Sequence, residues 1–150
     1  CLRHQYRLYH SHPSRRNLTL TGRKLGAMIR NKPYYMIDSV YLLATTVAGR
    51  QFYDADDAWP YLSVGTTLAM RYEPENSHDR FAVSLWYEAE DKQYKLGYIP
   101  RGNNEFVAVM FMMGWGHAFR CIVSRLDGAA PYDSQIGVTV KVLNRGSVTT

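Results

Sequence analysis

The chain has 150 residues, 46% of them apolar and 21% charged, and its formal net charge is +5. This balance is typical of one folded domain with a packed core, and it excludes a wholly disordered chain. No run approaches the ~20 apolar residues of a membrane-spanning helix, and the basic N-terminus lacks the apolar region of a secretory signal. Cys1 and Cys121 form no disulfide framework, so we expect a cytoplasmic protein without a membrane partner.

Basic charge is concentrated in the first 38 residues. Eight basic side chains against one acidic give this segment a formal charge of +7, and the rest of the chain carries −2. Pro13 and weak periodicity predict an arm with at most one short helix. Two interpretations stay open: an extension that contacts phosphates, since Lys and Arg bind nucleic acid by releasing counterions, or a solvated or partner-docking tail. We predict an arm at 1–38, one folded domain at 39–145 and a tail at 146–150.

From residue 39 onward the pattern has period two. β-Branched and aromatic residues alternate with polar ones, and Gly, Pro, Asn and Asp separate the runs, which is typical of successive short strands. The alternation is clearest at Ile136, Val138 and Val140. The predicted fold is therefore mainly β, with six strands at 40–47, 66–72, 81–87, 95–99, 118–126 and 136–143.

One helix is predicted at 104–113, between the fourth and fifth strands. Asn103 or Asn104 caps it, and Gly114 ends it. The face expected to cover the sheet has apolar residues at i, i+3, i+4 and i+7, namely Phe106, Val109, Met110 and Met113. The outer side is apolar as well, through Val107, Phe111 and Met112. Soluble helices rarely expose such a surface, so we expect either the N-terminal arm or a protein partner to pack against it.

The motifs that carry a catalytic mechanism are missing from the sequence. It has no G-x-S-x-G elbow, no H-E-x-x-H, no P-loop and no paired C-x-x-C. His4, His10 and His12 lie close together, but no nearby Cys or carboxylate completes a metal site, so we interpret them as arm residues. We expect a binding protein, with no enzymatic activity, metal or cofactor.

Two groups of polar residues resemble functional sites. Asp54, Asp56 and Asp57 lack the spacing of a calcium loop and its closing Glu, so a turn that leads into a short helix is the simpler interpretation. His78 and Asp79 imitate a base and its orienting carboxylate, but neighbours on an extended chain point in opposite directions. Neither pattern predicts catalysis.

Three segments together resemble a known family. They are VAGRQFY at 47–53, LAMRYEPENSHDRFAV at 68–83 and KLGYIPR at 95–101. In this order and spacing they are similar to the HIRAN domain, a DNA-binding module of Snf-type translocases that also occurs as small bacterial proteins. The resemblance covers about 41–143, and the acidic-Pro-x-Asn-x-x-Asp-x-x-Ala-aliphatic signature at 73–83 is its most specific part.

The resemblance implies a small OB-like or SH3-like barrel that binds single-stranded DNA or DNA 3′ ends. Phe52 and Tyr53 match the positions of stacking rings, and each base stacked on such a ring contributes about 1–3 kcal/mol. Tyr98, in the closing strand, is a further candidate. All three rings also suit a buried core, and that alternative stays open.

The resemblance also implies polar contacts to the strand end. His78 and Asp79 match an aromatic-Asp pair in which the ring packs on the last nucleotide and the carboxylate accepts a hydrogen bond from the 3′-hydroxyl. Arg101 matches a phosphate contact, and Arg71 is a second candidate. Gln51 stands where DNA-binding members carry a basic residue, which counts against tight binding.

Each polar residue has a simpler interpretation. Pro74 fixes φ at the end of a strand, and Asn76 and Asp79 can bond the loop backbone, so much of the signature can be structural. The alternative function is a protein-interaction module in a DNA-processing or defence complex. It would use the apolar helix through Phe106, Met110, Phe111 and Met113.

Overall fold

The computed structural model describes residues 37–148. The predicted arm and the three histidines in it lie outside these residues, apart from Ile37 and Asp38, and so do the last two residues of the tail. Six strands and two helices follow one another, with short 3-10 turns between them. They are β1 (Ser39–Thr46), α1 (Ala55–Ala58), β2 (Thr67–Tyr72), β3 (Val83–Glu88), β4 (Gln93–Tyr98), α2 (Glu105–Met112), β5 (Phe119–Leu126) and β6 (Ile136–Leu143).

The six strands form one antiparallel sheet in the order β1-β6-β5-β2-β3-β4. Its two edges meet at one bridge, where Ala48 and Tyr98 exchange backbone hydrogen bonds of 2.8 and 2.9 Å. The ladder is not continuous all round, but this bridge bends the sheet into a barrel-like shape. The prediction of a mainly β, OB-like fold with about six strands and one or two short helices is confirmed.

Gly97 makes the bridge possible. Its φ is +150°, and a Cβ at this position would collide with the carbonyl oxygen of Ala48 and lie 2.7 Å from a methyl group of Val47. Any larger residue would push the β1 edge away from β4. The glycine of the closing segment is therefore explained by close backbone approach.

Each strand begins within two residues of its predicted start, and the largest differences are the early start of β4 and the late start of β3. Strand β3 begins at Val83, two residues after its predicted start, because the backbone N–H of Phe81 bonds the Asp79 side chain. Ala82 likewise bonds the carbonyl of Asp79. The signature loop therefore includes Phe81 and Ala82, which period-two alternation had assigned to β3.

The core lies inside the curved sheet and under the helices. Alternate residues of β6 and of β5 are buried there, whereas β3 buries three consecutive residues, Val83, Ser84 and Leu85. The largest fully buried side chains are Leu85, Leu96, Ile99, Ile136, Val47, Val83, Val107, Val123, Val138 and Val140. Cys121 is also buried, and burial raises the pKa of its thiol to about 12.

The predicted orientation of the helix is wrong. Val107 and Ala108 are fully buried, whereas Phe106 is 56% and Met113 65% exposed. Phe111, expected outside, stacks on Phe119 with ring centroids 6.2 Å apart. Residues 106–112 are all apolar, so periodicity could not select a face.

In the range 37–148, no helix is both long and apolar enough to cross a bilayer.

Candidate nucleic-acid site

An aromatic turn follows β1. Gly49 adopts φ +75° and accepts a 3.0 Å hydrogen bond from the N–H of Phe52, which closes a 3-10 turn at Arg50–Phe52. The turn leaves Phe52 75% exposed and Tyr53 39% exposed. Both rings are therefore available at the surface, and the alternative of core aromatics does not hold for them.

Arg50 anchors this turn from below. Its side chain is 3% exposed, and its guanidinium carbon lies 5.2 Å from the ring centroid of Trp59 and 5.3 Å from that of Tyr132. Nη2 donates a 2.8 Å hydrogen bond to Asp56, and in this ion pair the guanidinium is buried and the carboxylate is exposed. Asp133 accepts a further bond from the N–H of Gly49. The exposed rings thus stand on a rigid base.

The acidic run at 54–57 enters the short helix α1, as the simpler interpretation predicted. Asp54 occupies the N-cap position, but its side chain does not cap the helix. It accepts a 3.3 Å bond from the backbone N–H of Lys95 instead. In the described part of the chain, no group of three or more His, Cys, Asp or Glu side chains is arranged to hold a metal.

The signature loop between β2 and β3 is built by its own side chains. The Asn76 side-chain oxygen accepts backbone bonds from His78 and Asp79 at 2.8 and 3.1 Å. Oδ1 of Asp79 accepts the Phe81 N–H at 2.9 Å. The expected structural role of Asn76 and Asp79 is therefore real.

The second oxygen of Asp79 faces away from its own loop. Oδ2 accepts a 2.7 Å hydrogen bond from the side-chain amide of Asn104 and lies 3.9 Å from Nε of Arg101. Arg101 also donates to the backbone carbonyl of His78. Both oxygens of the Asp79 carboxylate are hydrogen-bonded, yet the side chain remains 19% exposed and is accessible from solvent.

Tyr98, Lys95 and Glu73 form a polar wall beside Tyr53. Tyr98 donates a 2.8 Å bond to Glu73, and Nζ of Lys95 donates to the Tyr98 hydroxyl at 2.6 Å and to Glu73 at 3.2 Å. The same ammonium group lies 4.6 Å from the ring centroid of Tyr53 and 4.5 Å from that of Tyr98. These contacts fix the orientation of both rings.

The wall shifts the pKa values of its two acids in opposite directions. Burial alone would raise the pKa of Glu73, but hydrogen bonds from Tyr98, Asn76 and Lys95 outweigh it and hold that pKa below its usual value. Burial, together with the hydrogen bond to Glu73, raises the pKa of Tyr98. Glu73 is thus kept ionised and Tyr98 neutral.

An open cavity of about 220 Å³ lies between the aromatic turn, the signature loop and the end of β4. It brings together six of the eight residues named from the sequence: Phe52, Tyr53, His78, Asp79, Tyr98 and Arg101. The remaining lining comes from Ala48, Gly49, Asn76, Ala82, Ile99 and Pro100. Rings, one carboxylate and one guanidinium therefore share one surface depression.

Gln51 and Arg71 do not line the cavity. Gln51 is exposed on the aromatic turn. Arg71 pairs with Glu88 at 3.0 Å, donates to Gln93 at 2.7 Å and lies over the ring of Trp86 at 4.1 Å. Its charge is neutralised on the sheet, which does not suit a phosphate contact.

Sequence reasoning missed Lys95, Glu73 and Asn104. Strict alternation puts Lys95 and Tyr98 on opposite faces of a strand, but the register shifts by one residue where Leu85 and Trp86 of β3 face β4. This bulge turns Lys95 towards Tyr98. A lysine between Tyr94 and Leu96 was the one available signal for Lys95.

Comparisons with known proteins agree with this architecture. The model of the HIRAN domain matches residues 40–142. A structure of a protein from Lactobacillus plantarum is 26% identical, with a TM-score of 0.58 over 71% of this chain and 97% of that one. The HIRAN domain of human HLTF is 13% identical, with a TM-score of 0.50 over 73% of this chain and 84% of that one, and supports the fold alone. The comparison with curated proteins finds no match. The chain therefore belongs to the HIRAN domain family, whose domains are DNA-binding modules.

Proposed function

We propose that this domain binds the 3′ end of single-stranded DNA in the cavity that contains Phe52, Tyr53 and Asp79. The observation that carries the proposal is that exposed aromatic rings and a partly exposed carboxylate line the same cavity. An aromatic surface holds a base without regard to its identity, and a carboxylate distinguishes a hydroxyl from a phosphate. Together they favour the end of a strand over its interior.

Stacking supplies most of the affinity in this proposal. Phe52 is 75% exposed, which exceeds the exposure of the other large apolar side chains in residues 37–148. Its burial by a base would remove apolar surface from water, and a stacked base contributes about 1–3 kcal/mol. Tyr53 is held edge-on to Tyr98, with centroids 5.6 Å apart, so its ring is already ordered before DNA arrives.

Asp79 supplies the end preference. Each of its oxygens accepts one protein hydrogen bond, and a carboxylate can accept about four in all, so capacity remains for a 3′-hydroxyl. Its negative charge repels a phosphate at the same position. Arg101, whose side chain is 71% exposed, stands beside it as the partner for the phosphate on the 5′ side of the last nucleotide.

The charge of the chain predicts modest affinity. Residues 39–150 carry a formal charge of −2, so few phosphates can be neutralised by the folded domain itself. The basic segment at 1–38, with a formal charge of +7, is the remaining source of counterion release. We propose that the domain acts by binding alone, without catalysis, in the cytoplasm.

A second candidate function is protein docking through α2. The observation in its favour is a strip of exposed apolar side chains along the helix and the turn after it: Phe106, Val109, Met112, Met113 and Trp115. Phe106 and Met113 were expected to take part, whereas Met110 and Phe111 pack against the core. Loss of a protein complex in Phe106→Glu, with DNA affinity and the unfolding midpoint unchanged, would separate the two functions.

DNA titration of Phe52→Ala tests the proposal. The substitution removes an exposed ring without touching the core, and we expect single-stranded DNA to bind at least about fivefold more weakly, equivalent to about 1 kcal/mol. Trp115→Ala is the matched control, because Trp115 is 55% exposed and does not line the cavity. Equal weakening by both substitutions, or by neither, would contradict the proposed site.

A further inference from the structure

A second cavity adjoins the first across the signature loop. It has a volume of about 360 Å³ and shares His78, Asp79 and Arg101 with the first cavity. Its remaining lining is Arg80, Phe81, Gly102, Asn104 and Glu105. A strand whose last nucleotide lies in the first cavity passes these shared residues on its way out.

Two guanidinium groups, those of Arg80 and Arg101, line the second cavity. Arg80 is exposed, and its guanidinium carbon lies 4.8 Å from the ring centroid of Phe81, which holds the side chain against the loop. No carboxylate of residues 37–148 forms an ion pair with it. Arg101 approaches Asp79 only at 3.9 Å and keeps most of its surface in solvent. Both groups therefore retain free donors.

Two carboxylates, those of Asp79 and Glu105, also line the second cavity. Asp79 is already engaged by Asn104 and by the backbone of its own loop. Glu105 is exposed in the first turn of α2 and forms no ion pair within the described residues. The side chain of Asn104 does not cap α2, and the first N–H groups of that helix, next to two residues that line the cavity, add positive potential there.

We propose that the second cavity is a phosphate subsite in which Arg80 and Arg101 hold a backbone phosphate of the bound strand. This inference rests on the proposed function. In this proposal Arg80 supplies a positive charge near the strand end, which the neutral Gln51 does not supply from the aromatic turn. Because the two cavities share three residues, the phosphate belongs to one of the last two linkages before the 3′ end.

The test is the salt dependence of binding of a thymidine octamer with a free 3′ end. Each phosphate contact on a single strand contributes about 0.7 to the slope of log affinity against log salt concentration, so Arg80→Gln should reduce that slope by about this amount. Arg120→Gln is the matched control, since Arg120 is exposed on β5 and lines neither cavity. We expect its slope to equal that of the wild type.

Octamers with one neutral methylphosphonate locate the contact. Substitution at one of the last two linkages should abolish the difference between wild type and Arg80→Gln, while substitution further away should preserve it. The subsite is overturned if Arg80→Gln and Arg120→Gln behave alike while Phe52→Ala still weakens binding. Failure of the wild type to bind the octamer would instead overturn the proposed function, and the subsite with it.

Discussion

Asn104 donates a 2.7 Å hydrogen bond to Oδ2 of Asp79, so the residue before α2 is tied to the carboxylate of the signature loop. Asn104 is 2% exposed, which means that this bond is made inside the protein. Asp79 uses its other oxygen to hold the loop. The carboxylate is therefore fixed in position before any ligand binds, which lowers the entropic cost of recognition.

Asn104→Ala tests this positioning. Loss of a buried hydrogen bond to a charged group should lower the free energy of unfolding by about 1–3 kcal/mol. Urea denaturation measures the change. Asn103→Ala is the control, because Asn103 is exposed and its side chain bonds only the Thr45 hydroxyl, at 3.1 Å. A change of less than about 0.5 kcal/mol in both variants would contradict the structural importance of the Asn104 bond.

Gly97→Ala should open the bridge between the edges of the sheet. Its methyl group would meet the carbonyl oxygen of Ala48, so we expect a loss of about 2 kcal/mol or more in stability. Gly128→Ala offers a comparison, because its Cβ would lie 3.6 Å from Trp59, an ordinary contact. Equal unfolding midpoints for the two variants would show that the close approach at Gly97 is not required.

Arg50→Ala should disturb the aromatic turn from below. The substitution removes a stacked guanidinium from between Trp59 and Tyr132, and we expect about 1–3 kcal/mol of lost stability together with weaker DNA binding. Arg50→Lys keeps the charge but not the planar stack, so it should recover only part of the loss. Full recovery in the lysine variant, measured by thermal unfolding and DNA titration, would contradict a role for stacking.

Glu73 should make stability depend on pH in the acid range. Its pKa is lowered in the folded protein by hydrogen bonds to the carboxylate, so the unfolded chain binds this proton more tightly. The stabilisation is present above the unfolded pKa and is lost as pH falls through the lowered folded pKa. Urea unfolding between about pH 3 and pH 6 should give a shallower dependence for Glu73→Gln than for wild type. Parallel curves would contradict this origin.

The sequence predicted the strands and six of the residues that line the cavity. It did not predict the buried face of α2 or the contacts of Arg50 and Lys95 that support the aromatic rings. Period-two alternation located β6 because its residues alternate between the core and the outside. Two of the segments that resemble the family, 47–53 and 68–83, contribute Phe52 and Asp79 to one cavity, which the bridge residues Ala48 and Tyr98 also line.

The remaining features depend on contacts that no local pattern encodes. Arg50 is buried by Tyr132, which is 82 positions further along the chain. Lys95 meets Tyr98 only because a bulge breaks the alternation of β4. The buried face of α2 was ambiguous because its apolar residues are continuous, and Ala108, which is fully buried, gives only a weak hydrophobic signal.

Competition between 3′-hydroxyl and 3′-phosphate forms of one oligonucleotide tests the central claim most directly. A charge-assisted hydrogen bond to Asp79 predicts about tenfold or greater preference for the hydroxyl form. Asp79→Asn, which can still cap its loop, should abolish most of that preference. Asp127→Asn should keep it, because Asp127 caps a loop in the same way outside the cavity. Equal affinity of the wild type for both forms would contradict recognition of the strand end by this carboxylate.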